Sequence, residues 1–470
     1  MRQFFTALIC VILVTACGGK VLETTVEQSS VPRTVVYAPV VQMMPGISAD
    51  MNTAGYWTAL TYQTADRVIM TPAEIEVFND TTAEKHHLIT ISEYEKTREG
   101  SDIKASISSL YKHMLKTTYF GTDKAKVSLE EIQALYTLTG AEKISDNQSY
   151  DIRPAIMVRY TNQRVLPTNK AFYREGDEGY FDRLQMSALD IGTPVVILWT
   201  SLDNSWHYVR SRLTVGWVPA TSLAFCPSQE VIFWEKPERF IVALAAKTSV
   251  YTNAMHTGYK GFLPLGTKLP VYSVYDNNDN SRTIIWPERG EDGWLKHTPG
   301  YIERGEAHEG YLPYTSRNML KLAFTMLNAP YGWGGVYSEQ DCSAYLLRIF
   351  DATGISLPRN SSQQGQTGEL IYPKEADNFT TSRMTLALEG IPGATIVHFP
   401  GHVMLYVGQI QNEPYVIHAI WSYEALLDES HVALKLPARV VLSTLDLSGH
   451  TERGPYYNRI TNVRNIKLPK

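Results

Sequence analysis

The stretch APYGWGGVYSEQDCSAYLLRIF, residues 329–350, carries the signal that decides the fold of the C-terminal part of the chain. Asp341 is a good N-cap, and the apolar run behind it predicts a helix that begins at Cys342. Helix N-termini favour negative charge and lower thiol pKa values, so this position favours a reactive thiolate. The glycine-rich loop before it should leave the thiol exposed and its backbone amides free to stabilise an oxyanion. A buried structural cysteine is the alternative.

A nucleophilic thiol needs a base beside it. Two of the 12 histidines lie in successive strand patterns, His402 in "GHVMLYVG" and His418 in "PYVIHAI". If these strands form a hairpin, one imidazole can act as the base while the other orients it. His398 lies four residues before His402, but the Phe-Pro-Gly between them excludes a helical metal pair. The sequence has no HExxH or CxxC motif, so neither a metal site nor a cofactor is expected.

Length and composition predict a multidomain α+β protein. The 470 residues exceed what one compact core needs. The 28 tyrosines and 9 tryptophans suit strand-rich modules and surfaces that grip extended polymers. A net charge of -5 gives no basic footprint, so no nucleic-acid partner is expected. Capped helices come first, β-rich runs follow, and the C-terminal region has helices before strands, as α+β domains do.

Two similar β-rich units follow each other in the middle of the chain. Residues 192–219 and residues 266–297 each begin with Gly-Thr, contain two strand patterns around a polar turn, and close with Gly-Trp. This pattern is typical of small five- or six-stranded barrels, so two barrels in tandem are expected. They either space the domains or shape a substrate cleft. Trp206 and Tyr208 are the candidates to reach such a cleft, and packing inside the barrel is their alternative role.

The N-terminus has the pattern of an export signal. Arg2 precedes an apolar stretch, residues 4–14, which is shorter than the roughly 20 residues that a membrane-spanning helix needs. The ending "LVTAC" resembles the lipobox of bacterial lipoproteins, which implies cleavage before Cys17, lipidation of its thiol and a membrane anchor. An ordinary export signal is the alternative. The expected location is the cell envelope, on the outer membrane facing the periplasm if the cell is Gram-negative. Cys226 is expected to be a lone buried thiol.

Taken together, "YGWGG", "DCSAYL", "GHVMLYVG" and "VIHA" resemble, in this order, the motifs of the NlpC/P60 family of cell-wall cysteine peptidases. The resemblance covers residues 312–470 and implies a papain-like fold for this region. It also implies that Cys342 is the nucleophile, His402 the general base and His418 the third, orienting residue. Tyr331 would help to form the oxyanion site.

The preceding regions resemble one subgroup of this family, in which bacterial SH3 (SH3b) domains precede the catalytic domain. Its members are similar to γ-D-glutamyl-L-diamino-acid endopeptidases, which cut peptidoglycan stem peptides between D-Glu and the diamino acid. The resemblance implies that Asp341 binds the ammonium group of the substrate as well as capping the helix, with one carboxylate oxygen for each role. It also makes Ser343, Arg359 and Ser361 candidate substrate contacts.

These patterns divide the chain into a signal peptide (1–16), a tether (17–48), a helical N-terminal domain (49–152), two SH3b domains (153–230 and 231–309) and an NlpC/P60 catalytic domain (310–470). The expected function is a cysteine endopeptidase that forms an acyl-enzyme on Cys342. Its partners would be peptidoglycan stem peptides or muropeptides, and the protein would be a monomer. A non-catalytic peptidoglycan-binding lipoprotein is the alternative, and the intact set of one cysteine and two histidines argues against it.

Overall fold

The computed structural model describes residues 43–469 apart from 178, 273–280, 374–378, 427–431 and 453, and two short strands nearer the N-terminus. The predicted signal peptide and Cys17 lie outside the described residues. The two strands are β1 (Leu22–Glu23) and β2 (Arg33–Val36), which pair with each other, and β2 also runs parallel to a strand at Val432–Lys435. Both fall within the predicted tether, whose last residues include the buried Met44. None of the helices in the described part of the chain has the length and apolar character needed to cross a bilayer.

Residues 49–152 form the N-terminal helices and one small two-stranded antiparallel sheet. Thr71 and Glu74 form a capping box, and Ser128 caps a later helix, as the sequence predicts. The elements are α1 (Ala54–Leu60), α2 (Pro72–His86), β3 (Thr97–Glu99), α3 (Gly100–Met114), α4 (Leu129–Leu138) and β4 (Ser149–Asp151).

These helices do not share one core. Trp57 of α1 and Phe78 of α2 are buried among residues of the C-terminal domain. Ile103 of α3 and Ile132 of α4 are buried instead in clusters that include residues of the β-rich region. The segment predicted as one helical domain is therefore divided between two neighbours.

The first β-unit is a seven-stranded antiparallel sheet with the strand order β11-β5-β8-β9-β10-β6-β7. A long connection, residues 165–184, joins the second and third strands of the unit in chain order, which pair with each other at one edge of the sheet. Trp206 and Tyr208 are buried in its core, and the Tyr208 hydroxyl lies 2.7 Å from Ser106 Oγ, so both are packing residues and do not reach a cleft. The strands are β5 (Arg153–Met157), β6 (Thr161–Arg164), β7 (Gln185–Leu189), β8 (Pro194–Thr200), β9 (Trp206–Arg210), β10 (Val215–Pro219) and β11 (Leu223–Phe225).

The second β-unit consists of a three-stranded and a four-stranded antiparallel sheet. Helix α5 (Ser228–Glu235) links the two units, and its Trp234 is buried in a core that both units share. Cys226, just before this helix, is buried and forms no disulfide, and burial raises the pKa of its thiol to about 12. That this unit is a second SH3b domain stays a prediction. Its strands are β12 (Phe240–Ala243), β13 (Lys247–Tyr251), β14 (Tyr259–Pro264), β15 (Lys268–Pro270), β16 (Ser281–Arg289), β17 (Leu295–Glu303) and β18 (Ala307–Glu309).

The C-terminal domain packs helices against a six-stranded antiparallel sheet with the order β19-β26-β20-β21-β22-β25. Tyr345 and Leu346 are buried in one cluster with Leu405 and Ile417 of this sheet. Helices before an antiparallel sheet confirm the predicted α+β organisation. The elements are α6 (Ser316–Thr325), α7 (Cys342–Asp351), α8 (Ser361–Gln364), β19 (Glu369–Tyr372), α9 (Phe379–Glu389), β20 (Thr395–Phe399), β21 (His402–Ile410), β22 (Glu413–Ile420), β23 (Tyr423–Leu426), β24 (Val432–Lys435), β25 (Arg439–Thr444) and β26 (Asn462–Asn465).

Candidate active site

Cys342 is the first residue of α7, and Asp341 is its N-cap, accepting a hydrogen bond from the Ala344 N–H at 2.8 Å. The thiol is not exposed as predicted: Cys342 is only 7% exposed. Burial raises its pKa to about 12, and the charge of Asp341 adds to this effect. The backbone N–H groups of Val403 and Ser343 lower the pKa, but by less. The prediction of an exposed thiol with a lowered pKa is therefore wrong, because lost hydration outweighs the stabilisation at the helix N-terminus.

The two predicted histidines lie side by side. Strands β21 and β22 pair with Leu405 opposite Ile417, and His402 Nε2 lies 2.7 Å from His418 Nδ1. His418 Nε2 in turn lies 3.0 Å from Oγ of Ser443 on β25. If each Nε2 carries the proton, both contacts are hydrogen bonds and His402 Nδ1 is left as the basic nitrogen.

Ser443 is a site residue that sequence analysis missed. It is fully buried, and its hydroxyl can accept the Nε2–H of His418 in the arrangement described above, although a hydroxyl can also donate and so suits either tautomer of that ring. It stands on a separate strand 25 residues after His418 in the chain. Only the pairing of β22 with β25 brings them together, and no local motif marks a serine in "RVVLST" as functional.

Burial also sets the charge state of the histidines. It lowers the pKa of His402 to about 3, with a further contribution from the positive charge of Arg459, and it lowers the pKa of His418 well below its usual value. The free site thus holds a neutral thiol and neutral imidazoles. In the described part of the chain no hydrogen bond joins Cys342 to His402, and the sulfur lies beside the N–H of Val403, the next residue after His402. Such a set can act by general-base catalysis, in which the imidazole takes the thiol proton as the sulfur attacks.

Asp341 and Arg359 form a buried ion pair beside the nucleophile. Arg359 donates to both carboxylate oxygens, at 2.8 and 3.2 Å. The Gly334 N–H and the Ser343 hydroxyl donate to the same carboxylate, each at 3.0 Å. Burial alone would raise the pKa of Asp341, but the guanidinium and these hydrogen bonds hold the pKa below its usual value. Both oxygens already accept hydrogen bonds, so a substrate ammonium group would share the carboxylate with Arg359, and its binding to Asp341 stays a prediction.

The other predicted site residues lie around this ion pair. Ser343 accepts a hydrogen bond from Arg359 at 2.9 Å, so the two side chains also hold each other. Ser361 is half-buried at the start of α8. Burial raises the pKa of the Tyr331 hydroxyl well above its usual value and Cys342 contributes, which places this ring near the nucleophile. Contacts of these residues with a substrate stay predictions.

Aromatic residues of the first β-unit contact the glycine-rich loop that precedes Cys342. Phe181, in the connection between β6 and β7, packs edge-on against Trp333 and Trp421, with ring centroids 5.2 and 5.3 Å apart. Tyr180 lies 4.3 Å from Trp421, and Tyr331 lies 5.8 Å from it. The cluster joins the first β-unit to the loop that precedes the nucleophile. Sequence analysis missed it, because the aromatic pair in "GYFDRL" has no periodicity that would place it at a site.

Two side chains of the first β-unit hold the glycines of this loop. The Tyr160 hydroxyl donates to the carbonyl of Gly335 at 2.7 Å, and Gln185 Nε2 donates to that of Gly334 at 2.9 Å. Both glycines have positive φ, 60° and 89°. A Cβ atom on Gly334 would lie 2.6 Å from Gln185 Cγ, so this close approach requires glycine. The first β-unit therefore fixes the loop that supplies an amide to Asp341.

We expect the contribution of the buried histidines to the free energy of unfolding to decrease as the pH falls below about 6.5, the usual histidine pKa. The pKa values of His402 and His418 are lowered in the folded chain. As the pH falls, the unfolded chain therefore binds protons at these histidines before the folded chain does, and this stabilises the unfolded chain relative to the folded one. His207, whose pKa burial lowers to about 4, acts in the same direction. Urea denaturation between pH 7.5 and pH 4.5, conditions that bracket the histidine range, gives the slope. The double variant His402→Gln, His418→Gln should show a shallower slope, and an unchanged slope would contradict this assignment.

Comparison with known proteins identifies two domains. Residues 328–426 match the model of the NlpC/P60 family, and residues 167–219 match that of an SH3 domain of the SH3b1 type. The chain therefore contains an NlpC/P60 domain preceded by an SH3b domain, which confirms this part of the predicted organisation. The SH3b match falls on the first β-unit.

Among the described residues, no group of three or more His, Cys, Asp and Glu side chains is placed to hold a metal ion.

Two curated relatives of this chain carry the same name as each other. The chain is 31% identical over 124 residues to a γ-D-glutamyl-L-lysine dipeptidyl-peptidase of Bacillus subtilis (strain 168), which covers 25% of this chain and 40% of the relative. It is 25% identical over 159 residues to the protein of the same name from Bacillus cereus, covering 33% of this chain and 44% of the relative. The chain thus spans less than half the length of the curated relatives it matches.

One solved structure resembles nearly the whole chain. It is described as a novel NlpC/P60 endopeptidase from Photobacterium damselae subsp. piscicida, and it matches with a TM-score of 0.71 over 89% of this chain and 98% of that one. The sequence identity is 18%, so this likeness concerns the fold alone.

Proposed function

We propose that this chain, which carries an NlpC/P60 domain and an SH3b domain, is a cysteine endopeptidase that hydrolyses peptidoglycan stem peptides between γ-D-Glu and the diamino acid. The observation that carries the proposal is the series His402–His418–Ser443, in which Nδ1 of His402 is left as the basic nitrogen. The N–H of the next residue, Val403, faces the Cys342 sulfur. The names of the two curated relatives support the choice of bond. A protein that only binds peptidoglycan has no use for an oriented imidazole in this position.

The reaction would proceed through a thioester. Cys342 Sγ attacks the γ-carbonyl carbon of D-Glu, and the thiol proton passes to His402 Nδ1 as the S–C bond forms. The Cys342 N–H, at the start of α7, would stabilise the developing oxyanion. The C–N bond then breaks and the leaving amine takes the proton from His402. Water, deprotonated by the same imidazole, hydrolyses the thioester to a carboxylate and restores the thiol.

His418 would stabilise the proton-bearing state of the base. When His402 is protonated, its Nε2–H donates a charge-assisted hydrogen bond to the neutral His418 Nδ1, 2.7 Å away. Because burial keeps His418 neutral, the acceptor stays available throughout the reaction. In the tautomer that accepts this bond, His418 Nε2 carries the proton and Ser443 Oγ, 3.0 Å away, can accept it in a hydrogen bond.

Digestion of defined muropeptides tests the proposed bond. Stem peptides with a free or a blocked L-Ala amino terminus are incubated with the wild-type chain, and the products are identified by mass spectrometry. We expect fragments that end in D-Glu and fragments that begin with the diamino acid. Cleavage at another bond would overturn the proposed bond, and intact substrates would overturn the proposed activity. The alternative, a binding-only lipoprotein, predicts retention of intact muropeptides on the wild-type chain.

The cellular location follows from the lipobox-like ending "LVTAC". We place the protein in the cell envelope, anchored through a lipid on Cys17. Metabolic labelling with a fatty-acid analogue should mark the wild-type chain and not Cys17→Ser. Equal labelling of both would exclude this anchor.

The contact between the first β-unit and the glycine loop yields a separate prediction. Tyr160→Phe removes the hydrogen bond to the Gly335 carbonyl and leaves that buried group unpaired, an effect of about 1–3 kcal/mol. We expect kcat to fall about tenfold with little change in KM, because the loop positions the nucleophile. Tyr208→Phe is the matched control, since it removes a buried hydrogen bond of the same 2.7 Å length away from the site. Equal losses of kcat in the two variants would contradict a positioning role for Tyr160.

A further inference from the structure

A cleft of about 1140 Å³ lies where the N-terminal helices, the two β-units and the C-terminal domain meet. One side of α7 forms part of its wall through Ala344, Leu347, Arg348 and Asp351, which share a helix face. Cys342 does not line it, and Asp351 lies about 13 Å farther along the helix axis. Tyr160, Gly335 and Arg359, which surround the candidate active site, also line the cleft, so the cleft adjoins that site while Asp351 lies away from the nucleophile.

Three charged side chains in this cleft have no ion-pair partner among the described residues. The Arg212 guanidinium donates a hydrogen bond only to a serine hydroxyl of the C-terminal domain. The Lys268 ammonium contacts the backbone carbonyl of Glu235 at 2.7 Å and the Tyr311 hydroxyl at 3.4 Å. The carboxylate of Asp351 has no hydrogen bond within the described chain. Two cations and one carboxylate are thus available to a ligand.

The two cations and the carboxylate attract one another, but none forms a direct ion pair within the described chain, and burial makes each charge unfavourable. It lowers the pKa of Lys268 to about 8 and raises the pKa of Asp351 to about 7. It also lowers the pKa of Arg212. A ligand that brings the opposite charge to each group would offset this loss of hydration.

The other charged groups that line the cleft are already satisfied or lie in solvent. The Glu235 carboxylate accepts backbone hydrogen bonds from Ile91 and Ser92 at 2.8 and 3.0 Å. The remaining charges are paired across the domains or exposed on α2, where solvent and salt screen them. They are Arg348 with Asp190, Arg359 with Asp341, Lys236 with Glu93, Glu339 with Lys247, and the exposed Glu76 and Asp80.

We propose that this cleft binds a small zwitterion with two carboxylates and one ammonium group, the carboxylates on Arg212 and Lys268 and the ammonium on Asp351. A dipeptide with an acidic residue is the simplest compound of this class. The alanyl-glutamate released by the proposed peptidase reaction belongs to it, and only this choice of probe rests on the proposed function. The class of ligand follows from the three unpaired charges.

Calorimetric titration tests the cleft. The full chain carrying Cys342→Ala, which prevents turnover, is titrated with L-Ala-γ-D-Glu. We expect saturable binding that Arg212→Gln and Lys268→Gln each weaken at least about tenfold, as loss of one charge-assisted contact does. Asp351→Asn should remove the preference for this probe over its N-acetylated form. Lys143→Gln, at an exposed lysine without an ion pair in the described chain, is the control and should bind like the parent.

Three results would overturn the proposal. The first is no binding at millimolar concentrations of the probe, and the second is an affinity equal to that of the parent in all three cleft variants. The third is a loss of affinity in Lys143→Gln as large as that in the cleft variants. Thermal unfolding of each variant establishes that it is folded. Binding at the candidate active site would leave the affinity unchanged in the cleft variants, so it falls under the second result. Muropeptide hydrolysis by Arg212→Gln with Cys342 intact is measured separately, so failure of the cleft and failure of the peptidase can be told apart.

Discussion

Cys342→Ala is expected to abolish hydrolysis of muropeptides, with kcat/KM lower by at least about 10⁴-fold, because no other group can form the thioester. The residual rate should be that of bound, oriented substrate without a nucleophile. Steady-state assays with purified stem peptides and mass-spectrometric detection provide the measurement. A variant that cleaves as fast as the wild-type chain would exclude the proposed mechanism.

Cys226→Ala is the matched control for this experiment. Cys226 is the other free cysteine of the described chain, and it is as deeply buried as Cys342. Each alanine variant removes one buried sulfur, so the two free energies of unfolding should change by a similar amount, about 1 kcal/mol. Only Cys342→Ala should lose activity. Loss of activity in both would point to a general effect on the fold.

Alkylation of the thiol tests its charge state. Since burial raises the pKa of Cys342 to about 12, iodoacetamide should label it more slowly than an exposed cysteine at neutral pH. The rate should rise with pH as the thiolate forms. Rapid labelling with no pH dependence above neutrality would show a thiolate that is already present in the free site.

The local parts of this site could be predicted from the sequence. The Asp341 cap fixes the start of α7, and two successive strand patterns predict the hairpin that pairs His402 with His418. Both depend on residues close together in the chain. The burial of Cys342 could not be predicted in this way, because β21, which packs against it, lies about 60 residues later in the chain.

The contacts between domains could not be predicted from the sequence either, because they join residues that are far apart in the chain. The capping box of α2 predicts a helix, but it does not tell which neighbour buries Phe78. Likewise, the glycines Gly334 and Gly335 indicate a turn, but its partners Tyr160 and Gln185 lie 175 and 149 residues earlier in the chain. Ser443 joins the site only through strand register. The missed residues thus share one property: each reaches the site by tertiary packing.

Arg359→Gln should give the largest loss of stability, about 3–5 kcal/mol, because it leaves the Asp341 carboxylate buried without its counter-charge. The two side chains are only 12% and 10% exposed, so solvent cannot replace the guanidinium. Hydrolysis should also fall, since the unpaired carboxylate beside Cys342 disfavours a thiolate at this position. Chemical denaturation and kcat/KM are measured on the same preparations. Arg239→Gln is the control, because its ion pair with Glu309 is exposed and should contribute at most about 1 kcal/mol.

The double variant Asp341→Asn, Arg359→Gln separates the two consequences of breaking this pair. Removing both charges abolishes the buried, uncompensated carboxylate, so much of the stability lost in Arg359→Gln should return. Activity should not return, because the neutral pair no longer holds the Gly334 amide and the Ser343 hydroxyl as the carboxylate does. If Arg359→Gln loses no more stability than Arg239→Gln, the ion pair does not carry the weight assigned to it. If the double variant recovers full activity, Asp341 and Arg359 serve the fold and not the nucleophile.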